Sequence, residues 1–226
     1  MSPGPTLHRP WSRRRLLRTT LDAGTLALAA LLAPPLLRPG AALAAVCAPT
    51  PAQGEGPFYP PRFGRPGNDL LAVGGDGATA LGEPIAIAGR VTDARCRPVP
   101  GAVVEIWQAD AHGRYHHPHD AGPEPRDPHF RYWGRAVADA DGAYRFRTIL
   151  PAPYRMGWSW RTPHVHFKVR GAAGVLTTQM YFAGHELNAR DGLLRALPEP
   201  ERARVIALPA PDAAPLRVWR FDIAVA

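Results

Sequence analysis

Apolar and polar residues alternate along several short stretches of this 226-residue chain, the pattern of strands with one buried face. The stretches are PIAIAGRVTD (84–93), AVVEIWQAD (102–110), FRYWGRAVAD (130–139), AYRFRTI (143–149), HVHFKVRG (164–171), GVLTTQMYFAG (174–184), RVIALPA (204–210) and LRVWRFDIAVA (216–226). DADG (139–142) predicts a tight turn in which Gly142 takes positive φ and joins two strands as a hairpin. Residues 48–83 are rich in Gly and Pro and predict an extended arm. Residues 112–130 have no periodicity and predict a long loop, and 186–197 predicts one short helix. Twenty-seven prolines divide the rest into short pieces. The fold expected is all-β, a β-sandwich of about eight strands with long loops and little helix.

The first 45 residues have a different character. SRRRLLR (Ser12–Arg18) matches a twin-arginine export pattern, and is followed by an apolar run broken at Pro34 and Pro35 and by the small-residue stretch AALAA. The run is shorter than the roughly 20 apolar residues a membrane helix needs, so no stable membrane insertion is expected. The expected organisation is a signal peptide over 1–45, cleaved near Ala44 or Ala45, and one domain over 46–226. The destination is periplasmic or extracellular.

This division changes the reading of charge. The first 45 residues hold six arginines and one aspartate, and so carry +5 of the formal +8. The remainder is only mildly basic and shows no stripe suited to nucleic acid. Its cysteines are Cys47 and Cys96. An oxidising destination favours a disulfide between them over two free thiols or a lipid-anchored Cys47.

RTPHVHFKV (161–169) places two histidines one residue apart on a strand. His164 and His166 therefore share a face and Val165 takes the other. That is the spacing of a metal-binding pair or of a polar outer surface. Two tyrosines sit where loops leave strands, Tyr115 after AVVEIWQAD and Tyr154 after AYRFRTI, positions at which function concentrates. HGRYHHPHD offers a second histidine cluster, His116, His117 and His119, on a loop that fixes no geometry by itself.

Five stretches in collinear order, GEGPFYP (54–60), PVPGAVVEIWQADAHGRY (98–115), DADGAYRFRTILPAPY (139–154), RTPHVHFKV (161–169) and LTTQMYF (176–182), together resemble the intradiol ring-cleavage dioxygenases. The likeness is to the protocatechuate 3,4-dioxygenase type, and especially to its exported members. The resemblance implies a non-haem Fe(III) ion held by Tyr115, Tyr154, His164 and His166. It implies that Arg161 stabilises the bound substrate, that Gln179 lies near the oxygen side, and that Tyr154 yields its place when substrate binds. The implied reaction opens a catechol-type ring between its two hydroxylated carbons with O2, giving a cis,cis-muconate-type diacid. The implied partners are a small aromatic diol and O2. RMGWSW (155–160) does not align with the family pattern, so the shape of the substrate pocket is open there.

The donor set suits the metal. Ferric iron is a hard cation that favours anionic oxygen, and a bound cation favours the ionised form of tyrosine. Zinc sites more often combine His, Cys and carboxylate. Two alternatives stand beside the dioxygenase: an exported sandwich that only binds, since the DADGAYRF hairpin is common to non-catalytic domains, and a zinc hydrolase, for which no general base stands beside the histidine pair.

Overall fold

The computed structural model describes residues 47–61, 67–71, 78–172, 174–211 and 215–226, so the expected export segment and its cleavage point lie outside the described residues. Eleven strands are present: β1 (Pro84–Asp93), β2 (Val103–Gln108), β3 (Trp133–Val137), β4 (Ala143–Ile149), β5 (Tyr154–Met156), β6 (Ser159–Arg161), β7 (His164–Gly171), β8 (Gly174–Phe182), β9 (Ile206–Pro209), β10 (Arg217–Arg220) and β11 (Ile223–Val225). Among the described residues helix is confined to α1 (Gly192–Arg195), α2 (Glu199–Arg202) and two 3-10 turns. The all-β expectation holds. Among the described residues no helix is long and apolar enough to cross a membrane.

Nine of the strands form one curled sheet. Its order is β11-β1-β10-β9-β8-β7-β2-β3, with β4 also paired to β1. β1 serves two neighbours on one edge, with Ile85–Ala88 beside β10 and Val91–Asp93 beside β11, and lies antiparallel to β4 on the other. The two layers expected of a sandwich are thus continuous through β9 and β10.

Alternation explains the core. Val104 and Ile106 of β2, Val165, Phe167 and Val169 of β7, Phe146 of β4 and Ile85 and Ile87 of β1 point inward and are fully buried. At the β1–β4 end, Gly142 has φ +72, and a Cβ there would meet the Val91 carbonyl oxygen at 2.5 Å. The turn needs glycine for space as well as for its dihedral angle.

The opposite face of β2, β7 and β8 is also largely covered, because residues 50–53 run beside β8 and 54–59 continue across the face to Gln179, His166 and Trp107. Gln53 N donates to Thr177 O (2.9 Å), Thr178 Oγ1 to Pro51 O (2.7 Å) and Thr50 N to Ala224 O (2.9 Å). Beneath the arm, fully buried Glu105 accepts from Tyr59 Oη, from Arg135 and from Arg170. The first part of the expected arm, 48–59, is therefore packed against the sheet.

A disulfide joins Cys47 to Cys96 across 49 residues of sequence and ties the start of the arm to the turn after β1. Closing a loop of that length restricts the unfolded chain by about 2–4 kcal/mol. Cys96→Ser is expected to lower Tm by roughly 5–15 °C for a domain of this size. Differential scanning calorimetry checks this, and a Tm within about 1 °C of the parent contradicts it.

Two expectations need correction, and one hairpin is new. The helix expected over 186–197 is a 3-10 turn (Glu186–Ala189) followed by α1, interrupted where Asp191 leaves the helical conformation and caps α1. The strand expected from Phe130 begins at Trp133, because Tyr132 takes φ 59 and donates its hydroxyl to Asp110 (2.7 Å). RMGWSW, which carried no strand expectation, forms the turn and most of a β5–β6 hairpin in which Tyr154 pairs with Arg161.

Candidate metal centre

The site lies on the arm-covered face, where side chains of opposite strands come into register. His166 of β7 stands between Trp107 of β2 and Gln179 of β8, and His164 stands opposite Tyr181. Period-two alternation alone delivers these residues to one surface. Trp107 stacks on His166 with ring centroids 4.8 Å apart and planes 13° from parallel. Gly56 of the arm, φ +74, passes close enough that a Cβ would sit 3.4 Å from His166 Cε1.

Tyr115 arrives on the long loop, which is organised by one buried carboxylate. Asp110 Oδ1 accepts from His112 N (2.8 Å) and Arg114 N (2.9 Å), and Oδ2 accepts from Asp127 N (3.0 Å) and Tyr132 Oη (2.7 Å). Asp120 accepts from Tyr115 N (2.5 Å) and pairs with Arg114. Phe58 of the arm stacks on the Tyr115 ring at 4.6 Å. Tyr154, first residue of β5, closes the group: its ring meets Tyr115 edge-on at 5.6 Å and lies 5.7 Å from the His164 ring.

The four expected ligands therefore converge. Tyr115 Oη lies 3.4 Å from His164 Nε2, which lies 3.2 Å from His166 Nε2. Tyr115, His164 and His166 are each 2 % exposed, and Tyr154 is half-buried. His164 Nδ1 lies 2.7 Å from the Thr162 carbonyl oxygen. A carbonyl only accepts, so Nδ1 carries the proton and Nε2 presents a lone pair to the other donors. His166 Nδ1 is buried with no hydrogen-bond partner.

Electrostatics point the same way. Burial, then the Arg161 charge, lowers the His164 pKa to about 3, and burial with His164 and Arg161 beside it takes His166 well below the ordinary range. Both imidazoles are neutral near pH 7, the form that binds a metal. Burial, then the neighbouring Tyr154, raises Tyr115 well above 10. Burial also raises Tyr154, against the opposing pull of Arg161. A high positive charge at the convergence point reverses that preference for the neutral phenols. Two lone-pair nitrogens, two ionisable oxygens and an orphaned buried imidazole nitrogen fit a hard cation.

Arg161 and Gln179, expected separately as substrate-stabilising and oxygen-side residues, are in direct contact. Arg161 is 5 % exposed and donates from a terminal guanidinium nitrogen to Gln179 Oε1 (2.6 Å). Gln179 in turn donates from Nε2 to Gly54 O (3.1 Å), and its backbone N–H reaches Gln53 Oε1 (3.2 Å). The alternative histidine cluster does not form a site. His116 packs edge-on to Tyr132, whereas His117 packs against Phe58 and His119. Among the described residues no group of three or more His, Cys, Asp or Glu side chains gathers as a metal site.

Several participants were not expected. Gln53 and Asp120 carry no sequence signal that separates them from other polar loop residues. Trp107 could have been found from its register opposite His166. Asp191 could have been found as the polar residue preceding GLL, a helix-start pattern.

Residues 54–225 match a protein-family model described as Dioxygenase. The protocatechuate 3,4-dioxygenase beta chain of Burkholderia cepacia is 45% identical over 132 residues, covering 56% of each chain. Catechol 1,2-dioxygenase of Acinetobacter baylyi is 33% identical over 150 residues, covering 60% of this chain and 47% of that protein. The chain thus spans about half the length of these curated relatives. Among solved structures, the dioxygenase domain of a dioxygenase carbohydrate-binding protein fusion from Streptomyces sp. SirexAA-E superposes with a TM-score of 0.58 at 29% identity. That match covers 79% of this chain and 98% of that one.

Proposed function

Since this chain belongs to the Dioxygenase family, whose model spans residues 54–225, we propose that it is a non-haem ferric enzyme acting on catechol-type diols. It cleaves the ring between the two hydroxylated carbons and places both atoms of O2 in the diacid product. The observation that carries this reading is the convergence of Tyr115, His164 and His166, all buried, with the half-buried Tyr154 in one cluster. Relatives named for protocatechuate, catechol and hydroxyquinol support the substrate class and leave its member open.

Tyr115, Tyr154, His164 and His166 hold the iron, which when bound supplies a Lewis-acidic centre that draws electron density from the diol ring. The protein's own groups divide the remaining work. Tyr115, His164 and His166 are fixed by the long loop, Thr162 and Trp107. Tyr154 is the partly exposed donor and stands on a hairpin strand of three residues. As a phenolate it would be the donor best placed to accept a proton from a substrate hydroxyl, becoming a neutral phenol as the diol loses that proton. Arg161, one hydrogen bond from Gln179, faces negative charge that develops on the substrate, where a buried guanidinium is worth more than in water. Phe58 and the arm exclude water above Tyr115.

The Cys47–Cys96 disulfide supports an oxidising location, in keeping with export through the twin-arginine route. The test of function is oxygen uptake by the iron-loaded protein over catechol, protocatechuate and hydroxyquinol, with the product identified by mass spectrometry. The expected result is one O2 consumed per diol and a ring-opened diacid carrying both labelled oxygens from ¹⁸O2. Uptake with none of these diols, or hydrogen peroxide in place of a cleaved ring, contradicts it.

A further inference from the structure

We infer that Asp191 is a positioning residue for the reaction, setting the guanidinium of Arg161 and the peptide that follows it; this rests on the dioxygenase reading above. Asp191 is fully buried, and its two oxygens are divided between two tasks. Oδ1 accepts from Leu193 N (2.9 Å) and Leu194 N (3.0 Å) and so caps α1. Oδ2 accepts from Arg161 Nε (2.8 Å) and Thr162 N (3.0 Å).

The second oxygen holds two consecutive residues of the site. Arg161 is thereby gripped at two edges, by Asp191 at Nε and by Gln179 at a terminal nitrogen, which fixes the plane of the fork. Thr162, held by its N–H, presents to His164 Nδ1 the carbonyl that sets the ring's tautomer. Thr162 Oγ1 also bonds Asn188 Oδ1 (2.9 Å), in the same turn segment that leads to Asp191. A carboxylate suits both tasks, since it alone accepts from two directions on each oxygen and pairs with a buried guanidinium. The chain 186–195 thus runs behind the site, with the Leu194 side chain turned into a separate buried cluster with Tyr181 and Val205.

Asparagine separates the two tasks. Asp191→Asn keeps one acceptor oxygen for the helix cap, where Asn serves as well as Asp. It turns an amide N–H2 toward Arg161 and loses the pair. The iron-loaded Asp191→Asn enzyme is expected to show kcat reduced roughly 10–100-fold, the range found when supporting partners of a site are removed, with KM changed less than about threefold and iron content unchanged. The loss should shrink in an Arg161→Ala background, because only the part acting through Thr162 then remains. Asp191→Glu keeps the charge and should recover part of the turnover. Leu194→Ala loosens the same helix without touching Arg161, and should lower Tm while kcat stays near the parent's. An unaltered kcat in Asp191→Asn overturns the inference. So does an equal fold-loss in the Arg161→Ala background, or an equal loss of kcat in Leu194→Ala. If Asp191→Asn does not fold, Asp191→Glu decides: kcat and KM identical to the parent's overturn the inference. A parent enzyme that takes up no iron and consumes no O2 instead removes the dioxygenase reading itself.

Discussion

His164→Ala is expected to leave a folded protein that holds no iron and cleaves no diol. The imidazole is 2 % exposed and its Nε2 lies within 3.4 Å of both Tyr115 Oη and His166 Nε2. Alanine deletes one donor of four and leaves a small cavity in a layer separate from the apolar core. The expected loss in kcat/KM is at least roughly three orders of magnitude, about 4 kcal/mol of transition-state stabilisation. Iron per chain, by elemental analysis, should fall to below about a tenth of the parent's, because a buried site with an incomplete donor set holds its ion weakly. Circular dichroism should remain that of the β fold. Tyr154→Phe gives the graded case: the ion stays, the visible absorption shifts, and turnover falls. A His164→Ala enzyme with the parent's iron content and rate contradicts the ligand assignment.

Arg161→Ala is expected to separate chemistry from metal binding. Arg161 donates to Gln179 and Asp191, not to any of the four expected ligands. Its removal should leave iron content and colour close to the parent's. kcat should fall roughly 10²–10³-fold, the effect of losing one buried group that stabilises developing charge. KM should move less, since the interaction strengthens as the substrate becomes more negative. Arg161→Lys should not restore the rate, because an ammonium cannot keep the two-edged grip on Asp191 and Gln179. The measurement is steady-state oxygen uptake on protein of matched iron content. A variant that loses its iron along with its rate shows instead a role in holding the site together.

Much of this was legible in the chain. Strand alternation placed His164 and His166 on one face and Val165 in the core, and DADG specified its turn through Gly142. Tyr115 and Tyr154 stood at strand exits, and the resemblance joined them to the histidines. What alternation does not carry is long-range contact. The arm could be read only as extended, because Gly and Pro remove periodicity, yet Gln53, Gly54 and Phe58 cover the site. The helix expected over 186–197 was overridden by Asp191, whose four hydrogen bonds reward a break in the helix. The β5–β6 hairpin escaped notice because three-residue strands are too short to show a period.

The claim on which the rest depends is tested most directly by metal analysis of the purified protein alongside its visible spectrum. Two tyrosinates on one ferric ion should give about one iron per chain and a broad reddish charge-transfer band, lost on chelation and regained with iron salt. A protein that binds no iron from solution and stays colourless contradicts it.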